Sequence, residues 1–138
     1  MFQHETYIRV RYSETDQMGF VYYGHYATYF EVARVEALRS IGCPYKALED
    51  AGILMPVTEY SIRYLKPGKY DDLLKIITTI EEFPMSRIRF HYKTFNEAGD
   101  QLNHATTELV FLSAEQMRPG RVPEFIRTAL QPYFQTGI

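Results

Sequence analysis

YSETDQMGFVYYGHYATYFEVAR, residues 12–34, joins two different patterns. Its first half is a loop of acids, aromatics and glycine. Its second half has the spacing of an amphipathic helix. From about Gly24 to Ile41, Tyr26, Phe30, Ala33, Ala37 and Ile41 recur every three or four residues and make one apolar face. Thr28, Glu31, Arg34 and Glu36 fall largely on the rest of the wheel. Ala33 and Ala37 are small enough to let such a helix lie close to a sheet. Gly42 suits a C-cap, and Pro44 prevents continuation. Asp16 stands in the loop, ahead of the helix start and without an obvious local cation. A carboxylate facing the free N–H groups and positive dipole end of a helix suits acyl or phosphoryl chemistry.

The segments on either side have a period of two. Upstream, residues 4–12 place Thr6, Ile8, Val10 and Tyr12 on one face and Tyr7, Arg9 and Arg11 on the other, as in a half-buried strand. Downstream, a short helix is expected over 45–51, ending at Gly52. Residues 53–65 then read as a strand, with Pro56 marking a bulge or an edge near its start. Further strands follow at 73–83, 86–96 and 102–114, joined by turns at 66–72, 84–85 and 97–101. Residues 118–123 read as a loop and 124–134 as a short helix. Consecutive strands with short turns pair antiparallel. One long helix beside such a sheet gives an α+β two-layer fold in a single domain. That arrangement leaves an edge strand and an open face, and oligomerisation would cover both.

Composition narrows the function. The chain has 138 residues, 46% of them hydrophobic, enough for a core without covalent staples. The formal charge of −2 argues against a general nucleic-acid binder. Cys43 is the only cysteine, which excludes an intrachain disulfide and fits a reducing compartment. The N-terminal MFQHETYIRV lacks a signal-peptide pattern, and no apolar run approaches a membrane span, so a cytoplasmic protein is expected.

The loop acids would ordinarily serve as turn or capping residues. Asp16 gains a chemical reading from its flanking aromatics and from the helix start, whose amides can hold an oxyanion. An acid and a helix N-terminus suffice to hydrolyse an activated ester without a Ser or Cys nucleophile. His25, at the helix start, is either a capping histidine or a substrate contact. His4, His25, His91 and His104 lack the spacing of a helical metal site, and no metal is expected. No G-x-S-x-G, G-x-G-x-x-G or P-loop pattern occurs, so no dinucleotide cofactor is indicated. Lys66, Lys69, Arg87, Arg89, Arg118 and Arg121 are candidates for a phosphate-binding rim. Arg118 and Arg121, in a Pro/Gly loop, are favoured among them.

The run Y-x-E-T-D-x-x-G-x-V-Y-Y-x-x-Y-x-x-Y-F-E-x-A-R, Tyr12 to Arg34, resembles the signature of hotdog-fold acyl-CoA thioesterases, in particular the 4-hydroxybenzoyl-CoA thioesterase family with its YbgC-type members. The resemblance extends through Val57 to Asp72, the strand beginning G-D-Q-L-N-H, and the loop Arg118 to Pro123. It implies a hotdog fold, an antiparallel five-stranded sheet wrapped around one long helix. It implies hydrolysis of acyl-CoA to a carboxylic acid and CoA, with no cofactor, in a homodimer or homotetramer whose sites lie between protomers. The family's catalytic aspartate falls on Asp16, its loop glycine on Gly19, and its carbonyl-polarising amide on Tyr23. Val21 and Tyr22 fall in the same motif, as substrate-side positions. Thr58 and Glu59 would line the pocket of a neighbouring subunit, and Lys66, Arg118 and Arg121 would meet CoA phosphates. Where many members carry Asn this chain has His25, and where YbgC-type members often carry His it has Tyr23. Asp16 would act as general base or as nucleophile. The competing readings are a non-catalytic acyl-CoA-binding hotdog protein and a hotdog dehydratase or hydratase.

Overall fold

The computed structural model describes residues 1–134. The chain forms β1 (Phe2–Arg9), a 3-10 turn (Tyr12–Glu14), α1 (His25–Ser40), α2 (Tyr45–Asp50), β2 (Ile53–Leu54), β3 (Val57–Tyr64), β4 (Leu73–Ile80), β5 (Arg87–Phe95), β6 (Gln101–Ser113), β7 (Pro119–Gly120) and α3 (Glu124–Leu130), with a final 3-10 turn at Gln131–Tyr133. All strand pairings are antiparallel, and the five long strands run in the order β1, β4, β5, β6, β3.

Among the described residues the sheet has seven strands rather than the five expected, because two two-residue strands extend it. Pro56 and a bulge between Val57 and Glu59 divide the expected 53–65 strand into β2 and β3. Pro119 and Gly120, expected in a loop, pair with Leu112 and Phe111 at the far end of β6. At the N-terminus the strand begins earlier, at Phe2, and ends at Arg9. Tyr12 therefore leaves the inward face and lies exposed in the 3-10 turn.

One face of the sheet wraps α1. Phe30, Ala33, Ala37 and Leu38 are fully buried, and the Phe30 ring stacks on Tyr92 of β5 at 4.5 Å. The two alanines carry no side chain beyond Cβ, so the helix backbone can approach the strands. Arg34 departs from its expected solvent position and is buried, beside Tyr45 and Tyr92. The opposite face of the sheet is polar, with Arg87, Arg89, His91 and Lys93 alternating against the buried Ile88, Phe90, Tyr92 and Thr94. The open face is thus compatible with water as it stands. The edge is a different matter, because seven of the eight residues of β3 are exposed and the eighth, Ile62, is half-buried. No helix among the described residues is long and apolar enough to cross a membrane.

Candidate active site

The loop between the first 3-10 turn and α1 is shaped by its own backbone. The Asp16 amide donates to the Phe20 carbonyl at 2.8 Å, and the Gly19 amide donates to the Asp16 carbonyl at 3.0 Å. Gly19 closes this turn at φ +76°, a left-handed conformation that favours glycine. The Asp16 carboxylate caps the same turn. Its Oδ1 accepts from the amides of Met18 at 2.9 Å and Phe20 at 3.2 Å. Its Oδ2 takes no hydrogen bond from the described residues, so one oxygen fixes the side chain while the other is available. The capping role and the chemical role proposed for this acid are therefore compatible.

Two further anchors hold the loop. On one side, Val21 N donates to Gly68 O at 2.8 Å, Tyr70 N donates to Gly19 O at 3.1 Å, and Phe20 bridges Lys69. On the other, buried Glu14 gathers the strand end, the loop and the helix. Its Oε1 accepts from the Arg11 amide at 2.8 Å and the Tyr29 hydroxyl at 2.9 Å, and its Oε2 from the Arg11 guanidinium. Its carbonyl accepts from Tyr22 N. Burial alone would raise the Glu14 carboxyl, but the hydrogen bonds from Arg11 and Tyr29 outweigh it and hold the group below its ordinary value.

The chain then enters α1. The His25 amide donates to Tyr22 O, whereas the amides of Tyr23 and Gly24 find no protein acceptor among the described residues. These orphan donors add to the positive end of a 16-residue helix. Asp16 and Tyr23 border one cavity of about 350 Å³, together with Val21 and Lys66. Its lining is chiefly apolar and aromatic, completed by Phe20, Tyr26, Tyr64, Leu65 and Pro67. Lys66 stands at the rim, paired with Asp100 at 3.6 Å. Asp16 also borders a wider depression of about 670 Å³, shared with Tyr12, Thr15, Gln17, Gly19 and Tyr70.

The other expected residues lie apart from this cavity within one chain. Tyr22 and His25 pack edge to face beside it, with ring centroids 6.0 Å apart. Thr58, in the β3 bulge, donates to the carbonyl and carboxylate of Glu108. Glu108 is held by Arg89 and Arg87, so these two arginines are engaged in an ion-pair network. Arg118 and Arg121 line a different hollow, of about 390 Å³, beside Phe111 and Leu112. Lys66 is bonded to Leu102, at the opposite end of β6, a 13-residue strand roughly 40 Å long. Tyr26 and Tyr64 were not expected at the site. Tyr26 belongs to the apolar face of the helix and Tyr64 to the alternation of a strand, and both patterns read as packing. The only sequence sign for Tyr64 was its nearness to Lys66.

Comparison with known proteins shows the family. Residues 10–130 match the profile of the thioesterase-like superfamily. The Bacillus subtilis protein YneP is 35% identical over 112 residues, 81% of each chain. The acyl-CoA thioester hydrolase YbgC of Escherichia coli is 30% identical over 119 residues, 86% of this chain and 89% of that one. Among solved structures, the DHNA-CoA thioesterase from Staphylococcus aureus superposes with a TM-score of 0.84 at 36% identity, covering 97% of this chain and 85% of that one. With its long helix wrapped by an antiparallel sheet and a match spanning most of its length, the chain belongs to the thioesterase-like superfamily of hotdog-fold proteins.

Proposed function

We propose that the protein hydrolyses acyl-CoA thioesters to a carboxylic acid and CoA, with Asp16 as the reacting carboxylate. The observation that carries this reading is the shared cavity. It brings a carboxylate with one available oxygen to the helix start where the Tyr23 and Gly24 amides lack partners. A thioester carbonyl seated there places its oxygen at the orphan amides, which stabilise the negative charge that develops on attack. Asp16 then either takes a proton from water as the water adds to the carbonyl, or adds to the carbonyl itself to form a mixed anhydride that water cleaves. In both routes the C–S bond breaks and CoA leaves as its thiolate. The apolar, aromatic lining excludes water from the acyl group, and Lys66 at the rim is placed for an anionic part of CoA. Hydrolysis is favoured over hydration or dehydration because no histidine is among the described residues that line the cavity with the acid.

The complete site is formed by two copies. β3 presents an unpaired edge with Val57, Tyr60 and Tyr64 exposed, and the exposed Leu65 follows it. Antiparallel pairing of β3 with itself, about a two-fold axis between Tyr60 and Ser61, sets Val57 of one copy beside Tyr64 of the other. Thr58 and Glu59 of the neighbour then approach the Asp16 cavity, and the far end of β6, with Arg118 and Arg121, moves toward it.

A thiol-release assay over aromatic and aliphatic acyl-CoAs tests the reading. Asp16→Asn, matched for folding and assembly, is expected to lower kcat by about a hundredfold or more. Undiminished release by Asp16→Asn would remove Asp16 from the mechanism. Binding without release by the wild type would make the protein an acyl-CoA-binding module.

A further inference from the structure

Asp16 forms part of the wall of two hollows, and a bound acyl group fills only one of them. We propose that the other, the depression of about 670 Å³ between Tyr12 and Tyr70, receives an acyl acceptor, so that the protein also transfers acyl groups from CoA to an aromatic alcohol. This rests on the thioesterase reading and adds a second product to the same reacting carboxylate.

The two hollows share Asp16 and no other lining residue. The acyl cavity is lined chiefly by apolar and aromatic side chains, so the molecule that attacks the carbonyl comes from elsewhere. A Cβ on Gly19 would meet nothing within 4 Å, so the turn itself leaves free space at the edge of the depression. Water needs no aromatic walls, yet two tyrosines flank this hollow. Tyr12 and Tyr70 are 78% and 55% exposed, and their rings meet edge to face at 5.7 Å. Tyr12 comes from the first 3-10 turn and Tyr70 from the distant turn between β3 and β4. Tyr70 is held in place through its backbone. Its amide donates to Gly19 O at 3.1 Å, and Asp71 follows at φ +69°, a left-handed conformation uncommon outside glycine. The Asp71 amide donates to Val10 O at 3.0 Å, and its carbonyl accepts from the Arg9 guanidinium at 2.7 Å. Backbone strain of this kind persists only where the surroundings impose it, and it collects at ligand clamps. Here it sets one exposed phenol ring against another beside the reacting carboxylate.

The walls select the acceptor. Two phenol rings offer faces and edges to a planar aromatic group. Gln17, exposed beside them, supplies an amide oxygen that can accept from a hydroxyl. An acidic acceptor fits poorly, because Asp16 already brings a negative charge and no cation is among the described residues that line the depression. In the covalent route the alcohol oxygen adds to the acyl carbonyl of the mixed anhydride. The bond from that carbonyl to the Asp16 oxygen breaks, Asp16 returns to a carboxylate, and the alcohol proton passes to solvent. In the general-base route Asp16 takes the proton as the alcohol oxygen adds to the thioester carbonyl, the C–S bond breaks, and the CoA thiolate receives the proton. Both routes give an ester and CoA, and water attacking by the same path gives the acid.

The test takes the acyl-CoA with the fastest thiol release and adds benzyl alcohol or methanol at equal concentration. CoA release and the ratio of ester to acid are measured together, the latter by chromatography. The ratio does not depend on the amount of active enzyme, so a poorly folding variant still reports it. The wild type is expected to form the benzyl ester at a ratio about fivefold or more above that of the methyl ester, saturating with benzyl alcohol. Tyr70→Ala and Tyr12→Ala are each expected to lower the benzyl ratio severalfold and to leave the methyl ratio within about twofold. Acid as the sole product overturns the inference and leaves hydrolysis standing. Ester formed in linear proportion to either alcohol, at ratios unmoved by both tyrosine variants, shows attack from bulk solvent and likewise overturns the acceptor site. Absence of thiol release from any acyl-CoA overturns hydrolysis and acyl transfer together, and the CoA readout separates that result from the others.

Discussion

Glu14 shows how one side chain can set the position of another. It is two residues from Asp16, yet it does not border the cavity. Its carboxylate instead receives the Arg11 amide, the Arg11 guanidinium and the Tyr29 hydroxyl, joining the end of β1 to α1 beneath the loop. Because its native pKa lies below the ordinary value, it contributes stability that is full above the unfolded carboxyl's pKa and is lost as pH falls through the native one. Glu14→Gln keeps the shape but gives up the charge-assisted bonds, and is expected to cost about 2 kcal/mol at neutral pH. Urea titrations at descending pH should show wild type and variant converging through the acid range, since protonation removes from the wild type what the substitution removed from the variant. A gap constant down to the lowest pH would show that the Glu14 charge has no part in holding the loop. Tyr29→Phe removes a single bond to the same carboxylate and is expected to fall between the two.

Among the elements, the turn between β3 and β4 does as much for the site as the motif loop. Gly68 is the close-contact point, with a prospective Cβ 2.9 Å from the Tyr26 hydroxyl and 3.2 Å from a Val21 methyl, while its carbonyl receives Val21 N. Gly68→Ala must push both neighbours apart. It is expected to destabilise the fold by about 1–3 kcal/mol, the range for overpacking, and to raise KM more than it lowers kcat because the cavity wall moves. An unchanged thermal midpoint together with an unchanged KM would mean that the turn gives way freely. This seam also marks the limit of what the sequence makes legible. The α1 face, the antiparallel order and the Asp16 loop follow from local periodicity and from the motif, because each is written in adjacent residues. Tyr64 and Pro67 reach the cavity only because the turn, through Gly68, folds back on residues 19–21, a pairing between distant segments that no local pattern encodes. The burial of Arg34 was hidden for a similar reason, since Tyr45 and Tyr92, the phenols around it, come from α2 and β5. Strand boundaries slipped where proline intervened, at Pro56 and Pro119.

For the whole molecule, the question is what covers β3. An edge strand with exposed tyrosines and an unpaired backbone is a template for pairing. Introducing like charges at its centre, with Tyr60→Glu and Ser61→Glu together, sets acid against acid across the two-fold axis and is expected to convert the assembly to monomers in sedimentation velocity. A wild type that is itself monomeric would refute the pairing. The stronger test asks whether the two copies share chemistry. Thr58 and Glu59 lie outside the Asp16 cavity of their own chain, and under the proposed pairing would reach one only across the axis. Chains carrying Asp16→Asn and chains carrying Thr58→Val with Glu59→Ala are each expected to form assemblies with every site impaired. A mixed dimer would then combine both lesions in one site and leave the other intact. Co-expressed under two affinity tags and purified through both, such mixed dimers should recover about half the wild-type rate per dimer, whereas separately purified homodimers simply combined and assayed before exchange should not. If Thr58 and Glu59 served their own chain instead, every site in the mixed dimer would carry one lesion. Its rate would then stay at the average of the two parents.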